Sequence, residues 1–343
     1  MSTLFGFFYM KLLRYLLFPV VPIYYLVTWL RNVFYDRGIF KSKSYDFPVL
    51  AVGNLSVGGT GKTPMIEYLI VLLKDKKQVA TLSRGYKRSS EGFYLADNNA
   101  DAKLLGDEPF QFYRKFKKDI QVAVDADRQN GIKNLMQQET APEVILLDDA
   151  YQHRKVKAGF YILLTTYSNL YTKDWVLPTG DLREPRAGAK RANCIVVTKC
   201  PDNLSAIEKD EIIRSINPKA NQSVFFSAIR YADSVFSEEK KLGLKTLHDF
   251  TLVTGIANAT PLVNHLKTEG LQFDHLNFKD HHDFTAQDIE LFKSKSLIIT
   301  TEKDYVRLLQ FDALKDKVFY LPITVNIDKP EAFNTSVLEF VTI

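Results

Sequence analysis

The chain has 343 residues, 46% of them hydrophobic and 25% charged, the composition of a folded protein with room for one large or two medium domains. Its formal net charge of +5 is already reached within residues 1–43, where six bases (Lys11, Arg14, Arg31, Arg37, Lys41, Lys43) face one acid (Asp36), and the remaining charges cancel. That placement gives no sign of a nucleic-acid-binding body. Cys194 and Cys200, the only two cysteines, fit no zinc or redox spacing and indicate a reducing compartment.

Residues 4–30 are apolar and aromatic, interrupted by Lys11 and Arg14. The uncharged stretch Tyr15 to Leu30 contains Pro19 and Pro22 and is shorter than the roughly 20 apolar residues a spanning helix needs. No small-residue cleavage site follows, which argues against a signal peptide. Tyr24, Tyr25, Trp29 and Arg31 cluster as interfacial anchors do. Residues 1–31 are therefore expected to lie on an anionic membrane surface. The competing expectation is a helix buried on the protein's own core.

The stretch Val49 to Tyr68, VLAVGNLSVGGTGKTPMIEY, is an apolar strand, a glycine-rich turn, Gly-Lys-Thr and an apolar helix. This order makes a phosphate-binding loop in which Ser56, Val57, Gly58, Gly59, Thr60, Gly61, Lys62 and Thr63 would hold ATP. Glycines let the backbone approach an anion, and the helix N-terminus directs its N–H groups at phosphate oxygens. Lys62 would neutralise the β/γ-phosphates, and the Thr63 hydroxyl would ligate Mg²⁺. Ser56 stands where the common pattern has glycine.

Strands are predicted at Gln78–Leu82, Ile120–Val124, Glu143–Leu147, Phe160–Leu164, Ile195–Thr198 and Val224–Phe226, with helical patterns between them. Short apolar runs alternating with helices imply a parallel sheet covered on both faces. A charged, less periodic stretch, Tyr231 to Lys245, reads as a junction. A second, smaller α/β series follows: strands Phe250–Thr254, Gln272–Leu276, Ser296–Ile299 and Val318–Leu321, helices Pro261–Thr268 and Ala286–Ser294, and a closing helix Glu331–Phe340. The expected organisation is a membrane-anchoring segment at 1–35, a P-loop kinase domain at 36–230 and a smaller α/β domain at 231–343.

The run Glu143 to Asp149 is an apolar strand ending in two carboxylates, Asp148 and Asp149, the position from which an acid reaches the metal in a phosphate-loop fold. Four more polar islands sit at element edges: Ser83 to Arg88, Gly106 to Pro109, Tyr151 to Arg154, and Leu182 to Arg186. Taken alone, each fits a loop or cap role, and Asp107 could simply cap the following helix.

The order GNLSVGGTGKTP, LSRGYKR, GDEP, DADR, LLDDAYQHR, LPTGDLREP, DHHDF and TTEKD resembles the tetraacyldisaccharide 4′-kinase family from about Phe34 to Lys303. Serine at the first loop position is usual there. The resemblance implies two α/β/α domains joined by a short β linker, with an N-terminal membrane-associated segment. It also implies transfer of the ATP γ-phosphoryl to the 4′-hydroxyl of an acylated glucosamine disaccharide 1-phosphate, a step in lipid A synthesis, on the cytoplasmic face of a bacterial inner membrane. By position, Asp148, Asp149 and Glu184 fall around Mg²⁺ with Thr63. Asp107 and His281 match the pair that activates the sugar hydroxyl, and a one-residue slip would exchange His281 with His282. Asp107 belongs to the first α/β series and His281 to the second, so the pair is expected to form across the two. Arg84, Tyr86, Arg128, His153 and Arg183 match positions near the substrate's phosphates or sugar. Ala150 and Tyr151 stand where Gly-Phe is common. Two rival readings are a membrane-bound switch or partitioning ATPase, against which Val57 counts because lysine is common there, and a transport or scaffold component that only binds nucleotide.

Overall fold

The computed structural model describes residues 14–280 and 282–342. Residues 1–13 of the expected anchor, and His281, lie outside the described residues. The strands run β1 (Val49–Asn54), β2 (Val79–Ser83), β3 (Tyr94–Leu95), β4 (Ile120–Val124), β5 (Val144–Asp148), β6 (Phe160–Thr166), β7 (Cys194–Thr198), β8 (Ser223–Tyr231), β9 (Ser234–Phe236), β10 (Lys241–Gly243), β11 (Phe250–Thr254), β12 (Phe273–Asn277), β13 (Ile298–Thr301), β14 (Val318–Leu321) and β15 (Ile323–Ile327). The fold is α/β, as expected.

The chain divides into two compact units, and neither is one continuous stretch. The first comprises residues 1–84, 125–228 and 326–343; the second comprises 85–124 and 229–325. These limits differ from the contiguous boundaries expected at 36–230 and 231–343. Residues 85–124 join the C-terminal series, and the last eighteen residues join the phosphate-loop series. Sequence adjacency had stood in for packing, and packing decides otherwise.

In the first unit the strands are ordered β8-β7-β6-β1-β5-β2, and every neighbouring pair is parallel. β1, β2, β5 and β7 are buried along their whole length. Their apolar runs are continuous because a parallel sheet covered on both faces has no wet side. The helix Lys62–Leu73 buries Met65, Ile66, Leu69, Ile70 and Leu73, one face at helical spacing. The C-terminal helix Pro330–Thr342 completes this core. Its Phe333 meets Tyr68 and Phe225 edge-on, Phe340 packs on Phe160, and Asn334 accepts a 2.8 Å bond from the Tyr68 hydroxyl. In place of the expected α-helices, the connection after β5 contains no helix and that after β6 only two short 3₁₀ turns. These two long loops carry most of the site.

Also in this unit, the helix Val21–Asp36 buries only Val21. Leu16 (74% exposed), Ile23 (64%) and Val27 (60%) face solvent. Among the described residues no helix is long and apolar enough to cross a membrane.

The second unit holds a six-stranded sheet, β10-β9-β14-β13-β11-β12, and an antiparallel pair, β3 with β4. The stretch Tyr231 to Lys245, expected as a junction, contains β9 and β10; β9 pairs antiparallel with both β10 and β14. The helices Asp107–Phe116 and Glu302–Leu308 lie against one another, joined by Lys115 to Glu302 at 2.7 Å and Lys303 to Glu108 at 3.5 Å.

Candidate active site

The loop between β1 and the helix Lys62–Leu73 is shaped by backbone that only glycine adopts easily. Gly61 has φ +89° and leads directly into the helix, whose first residue is Lys62. Several side chains brace the loop. Asn54 donates to Thr60 Oγ1 at 2.8 Å, Thr198 Oγ1 donates to the Thr60 carbonyl at 2.8 Å, and Lys199 donates to the Gly59 carbonyl at 2.6 Å. Thr198 and Lys199 come from the end of β7, the sheet edge where ligands of parallel α/β folds collect. Burial, and then the nearby Lys62, lower the Lys199 pKa. Two lysines and a helix N-terminus thus concentrate positive potential over the loop.

Asp148 ends β5 and is buried. Asp149 follows with φ +47°, a left-handed turn that Asp tolerates better than most residues. It lies 3.7 Å from Lys62 Nζ and accepts from Arg183 at 3.1 and 3.2 Å. Burial alone would raise its pKa, but Lys62, Arg183 and Arg128 outweigh that and hold it below the usual carboxylate range. Asp149 is therefore a fixed anion facing the loop lysine.

Arg183 is the organiser of this wall. Besides Asp149 it donates to Asn54 Oδ1 at 2.8 Å, to the Ser56 carbonyl at 3.3 Å and to Gln152 Oε1 at 3.4 Å. Its guanidinium links the end of β1, the turn after β5 and the phosphate loop. Gln152 in turn donates to the Asn54 carbonyl at 2.8 Å and to Glu184 Oε1 at 3.0 Å.

Glu184 departs from expectation. It is only 4% exposed, and its two oxygens accept from Arg191 at 2.7 Å, Gln152 at 3.0 Å and Asn32 at 2.7 Å. Among the described residues no three His, Cys, Asp or Glu side chains form a metal-holding group. Thr63, Asp148 and Asp149 still suit Mg²⁺, which usually takes one or two carboxylates and completes its shell with waters and phosphates. Glu184 as placed is a partner of Arg191 rather than a third acid, because three donors already occupy its oxygens.

Arg128, expected near substrate, is 2% exposed and donates to the carbonyls of Asp125 (2.7 Å) and Asp148 (3.3 Å). Burial lowers its pKa to about 10, with the acids Asp148, Asp149 and Asp125 working the other way, so it stays charged. It fixes the turn that carries Asp148. His153 is half-buried, and burial followed by Arg128 depresses its pKa to about 4, so it is neutral. Arg84 ends the first unit and is exposed; Tyr86 lies in the second unit and is exposed. Tyr151 is fully buried, donates to the Gly188 carbonyl at 2.9 Å and sits under the Arg191 guanidinium. A Cβ on Gly53 would lie 2.6 Å from Tyr151 Cβ, so β1 can pass this ring only as glycine.

In the second unit, Asp107 is the first residue of its helix. The cap position is Gly106, so Asp107 does not cap. Arg307 grips Asp107 Oδ2 through two nitrogens, Nε at 2.9 Å and NH2. Glu108 meets Lys303 at 3.5 Å, and Lys303 meets Asp280 at 3.5 Å. Asp107 and the chain around position 281 therefore belong to one unit, not to the two series expected. His282 accepts or donates at 2.9 Å with Asp288 and stacks on Phe278. Arg307, Gln152, Arg191, Asn32 and Lys199 were not expected in these networks. They carry no motif of their own and are recognisable only by the partners that folding brings to them.

A sequence model of the family described as tetraacyldisaccharide-1-P 4′-kinase, LpxK, matches residues 13–342. The tetraacyldisaccharide 4′-kinase of Flavobacterium johnsoniae is 53% identical, covering 97% of this chain and 98% of that protein. The enzyme of the same name from Phocaeicola vulgatus is 43% identical over 95% of this chain and 94% of its own length. A crystal structure of LpxK from Aquifex aeolicus in complex with ATP superposes with a TM-score of 0.77 at 29% identity, covering 96% of this chain and 99% of that one. The switch-ATPase and scaffold readings give way to these matches. A loop lysine facing a fixed carboxylate, on a chain matched end to end, leaves one conclusion: the protein belongs to the tetraacyldisaccharide 4′-kinase family, the kinases of lipid A synthesis.

Proposed function

We propose that the first unit binds ATP on the loop Ser56–Thr63 and that the chain passes the γ-phosphoryl to the 4′-hydroxyl of tetraacyldisaccharide 1-phosphate. The observation that carries this is the opposition of Lys62 and Asp149 at the mouth of the glycine loop. Loop N–H groups and Lys62 offset charge on the transferring group, and Lys199 adds a second cation beside them. Thr63, Asp148 and Asp149 would hold Mg²⁺, which when bound neutralises charge on the β- and γ-phosphates. The sugar oxygen forms a bond to the γ-phosphorus, the bridging bond to the β-phosphate breaks, and ADP leaves. Asp107, with His281, takes the hydroxyl proton. Arg307 keeps Asp107 oriented. Arg84, Tyr86, His153 and Arg183 serve substrate phosphates and sugar, while Arg128 serves them indirectly through the Asp148 turn.

Residues 1–31 are proposed to dock on the cytoplasmic leaflet of the inner membrane, supported by exposed Leu16, Ile23, Leu26 and Val27 and by the basic charge of this segment. The reading is tested by incubating purified protein with labelled ATP, Mg²⁺ and disaccharide 1-phosphate and resolving the lipids by thin-layer chromatography. Label in a bisphosphorylated lipid is expected; label only in free phosphate would overturn it.

A further inference from the structure

The N-terminal helix does more than expose an apolar face. Its inner side packs Val21 and Tyr24 on the apolar core and adds a row of polar contacts. The Tyr24 hydroxyl donates to the Arg183 carbonyl at 2.9 Å, and Arg31 donates to the Gln152 carbonyl at 3.0 Å. Arg154 donates to the Asn32 carbonyl at 3.0 Å and pairs with Asp36 at 2.7 Å. At the centre, the Asn32 side chain reaches Glu184 Oε2 at 2.7 Å. Every one of these partners belongs to the two loops that hold Asp149.

The contacts continue without a gap: Asn32 to Glu184, Glu184 to Gln152, Gln152 to Arg183, Arg183 to Asp149, and Asp149 to Lys62. Arg191 closes the far side of Glu184 and is itself stacked on buried Tyr151. Glu184 Oε1 is shared by Arg191 and Gln152, so the angle at which Gln152 meets it is set by what holds Oε2. Among the described residues, Asn32 is the donor that does that. A low-dielectric network of this kind transmits orientation because each member has one satisfied arrangement.

We propose that Asn32 is a positioning residue for phosphoryl transfer, coupling the seating of the N-terminal helix to the placement of Asp149 and Lys62 through Glu184, Gln152 and Arg183. The proposal rests on the kinase reading above and adds to it a role for the helix beyond attachment. A helix seated by polar contacts on one side and apolar toward solvent on the other would convert contact with a lipid surface into a fixed Asp149. Turnover would then be highest when the helix lies flat on both.

The test measures kcat and KM for ATP in full-length protein with disaccharide 1-phosphate in mixed micelles, alongside vesicle flotation and thermal unfolding. Asn32→Ala is expected to lower kcat about tenfold, the scale of one charge-assisted hydrogen bond. ATP KM should stay within about twofold, and vesicle binding should be unchanged, since catalytic geometry is lost without loss of binding contacts. Asn32→Asp, which sets like charge against Glu184, is expected to lose more. The double variant Asn32→Asp with Glu184→Gln restores an amide–carboxylate pair with roles exchanged and should recover part of that loss. Wild-type kcat in a folded Asn32→Ala, or a loss accounted for entirely by release from vesicles or by raised ATP KM, would overturn the coupling. An inactive wild type would instead overturn the kinase reading, so the two failures are distinct.

Discussion

Asp149 and Asp107 are both carboxylates held by an arginine, yet they are held for different ends. In the first unit Arg183 shares Asp149 with Lys62, and Asp149 stays half-exposed at the mouth of the loop. In the second unit Arg307 closes on Asp107 with two nitrogens, and Arg307 is itself buried beside Asp304. Asp149 is thus held ionised by the cations Lys62, Arg183 and Arg128. Asp107 is held in direction by the Arg307 guanidinium, from a helix beginning at Glu302. The contrast separates an acid kept for its charge from an acid kept for its aim.

The comparison breaks most visibly at Lys62. Lys62→Ala should reduce kcat by about 10³ or more, because catalysis of phosphoryl transfer is mainly positioning and charge stabilisation. Near-normal turnover in a folded variant would remove Lys62 from the reaction. Next in size, Asp107→Ala should cost about 10²–10³ in kcat with little change in ATP affinity. The double variant with His281→Ala should be scarcely worse than the worse single one, and additive losses would show two separate roles. Arg307→Lys keeps the charge and loses the two-nitrogen grip, so a smaller fall, about tenfold, is expected if aim is what Arg307 supplies. Wild-type kinetics for Arg307→Lys would leave charge as its whole contribution.

A smaller effect sharpens the same contrast through pH. Asp149 has a folded pKa below its unfolded value, so its contribution to stability is present above about pH 4 and is lost as pH falls through the depressed folded value. Denaturant unfolding of Arg183→Met against wild type should show a gap that narrows in that acid range; a constant gap would mean Arg183 acts on Asp149 without charge. The smallest effect concerns His153, whose pKa of about 4 lies below the unfolded value of about 6.5. The unfolded chain binds the proton first, so stability falls as pH drops from about 6.5 toward 4. His153→Gln should flatten the stability profile across that window, and an unchanged slope there would show that His153 titrates alike in both states.

The phosphate loop was legible because its chemistry is written in consecutive residues: glycines at the turn, Lys62 and Thr63 after it, and a continuous apolar strand before it. Strand placement was similarly local, and β4, β11 and β14 fall where the apolar runs put them. Asp107 was assigned to the wrong series because its partner Arg307 lies 200 residues away, and nothing local shows that pairing. The resemblance sets Glu184 among the acids around Mg²⁺, and it says nothing of what else holds this side chain. Its actual companions, Asn32 and Arg191, come from a helix and a loop with no motif. Side-chain networks between distant segments are set by topology, and no short pattern encodes them.

The order in which the units can be completed during synthesis follows from their interleaving. All of the second unit, ending at residue 325, leaves the ribosome before the segment 326–343 that the first unit requires. Until then Tyr68, Phe160 and Phe225 lack Phe333 and Phe340, and the core beneath the phosphate loop stays open. The nucleotide-binding half, although encoded first, is the last to close. Removing the helix Pro330–Thr342 would therefore injure ATP binding on a loop that lies far earlier in the chain.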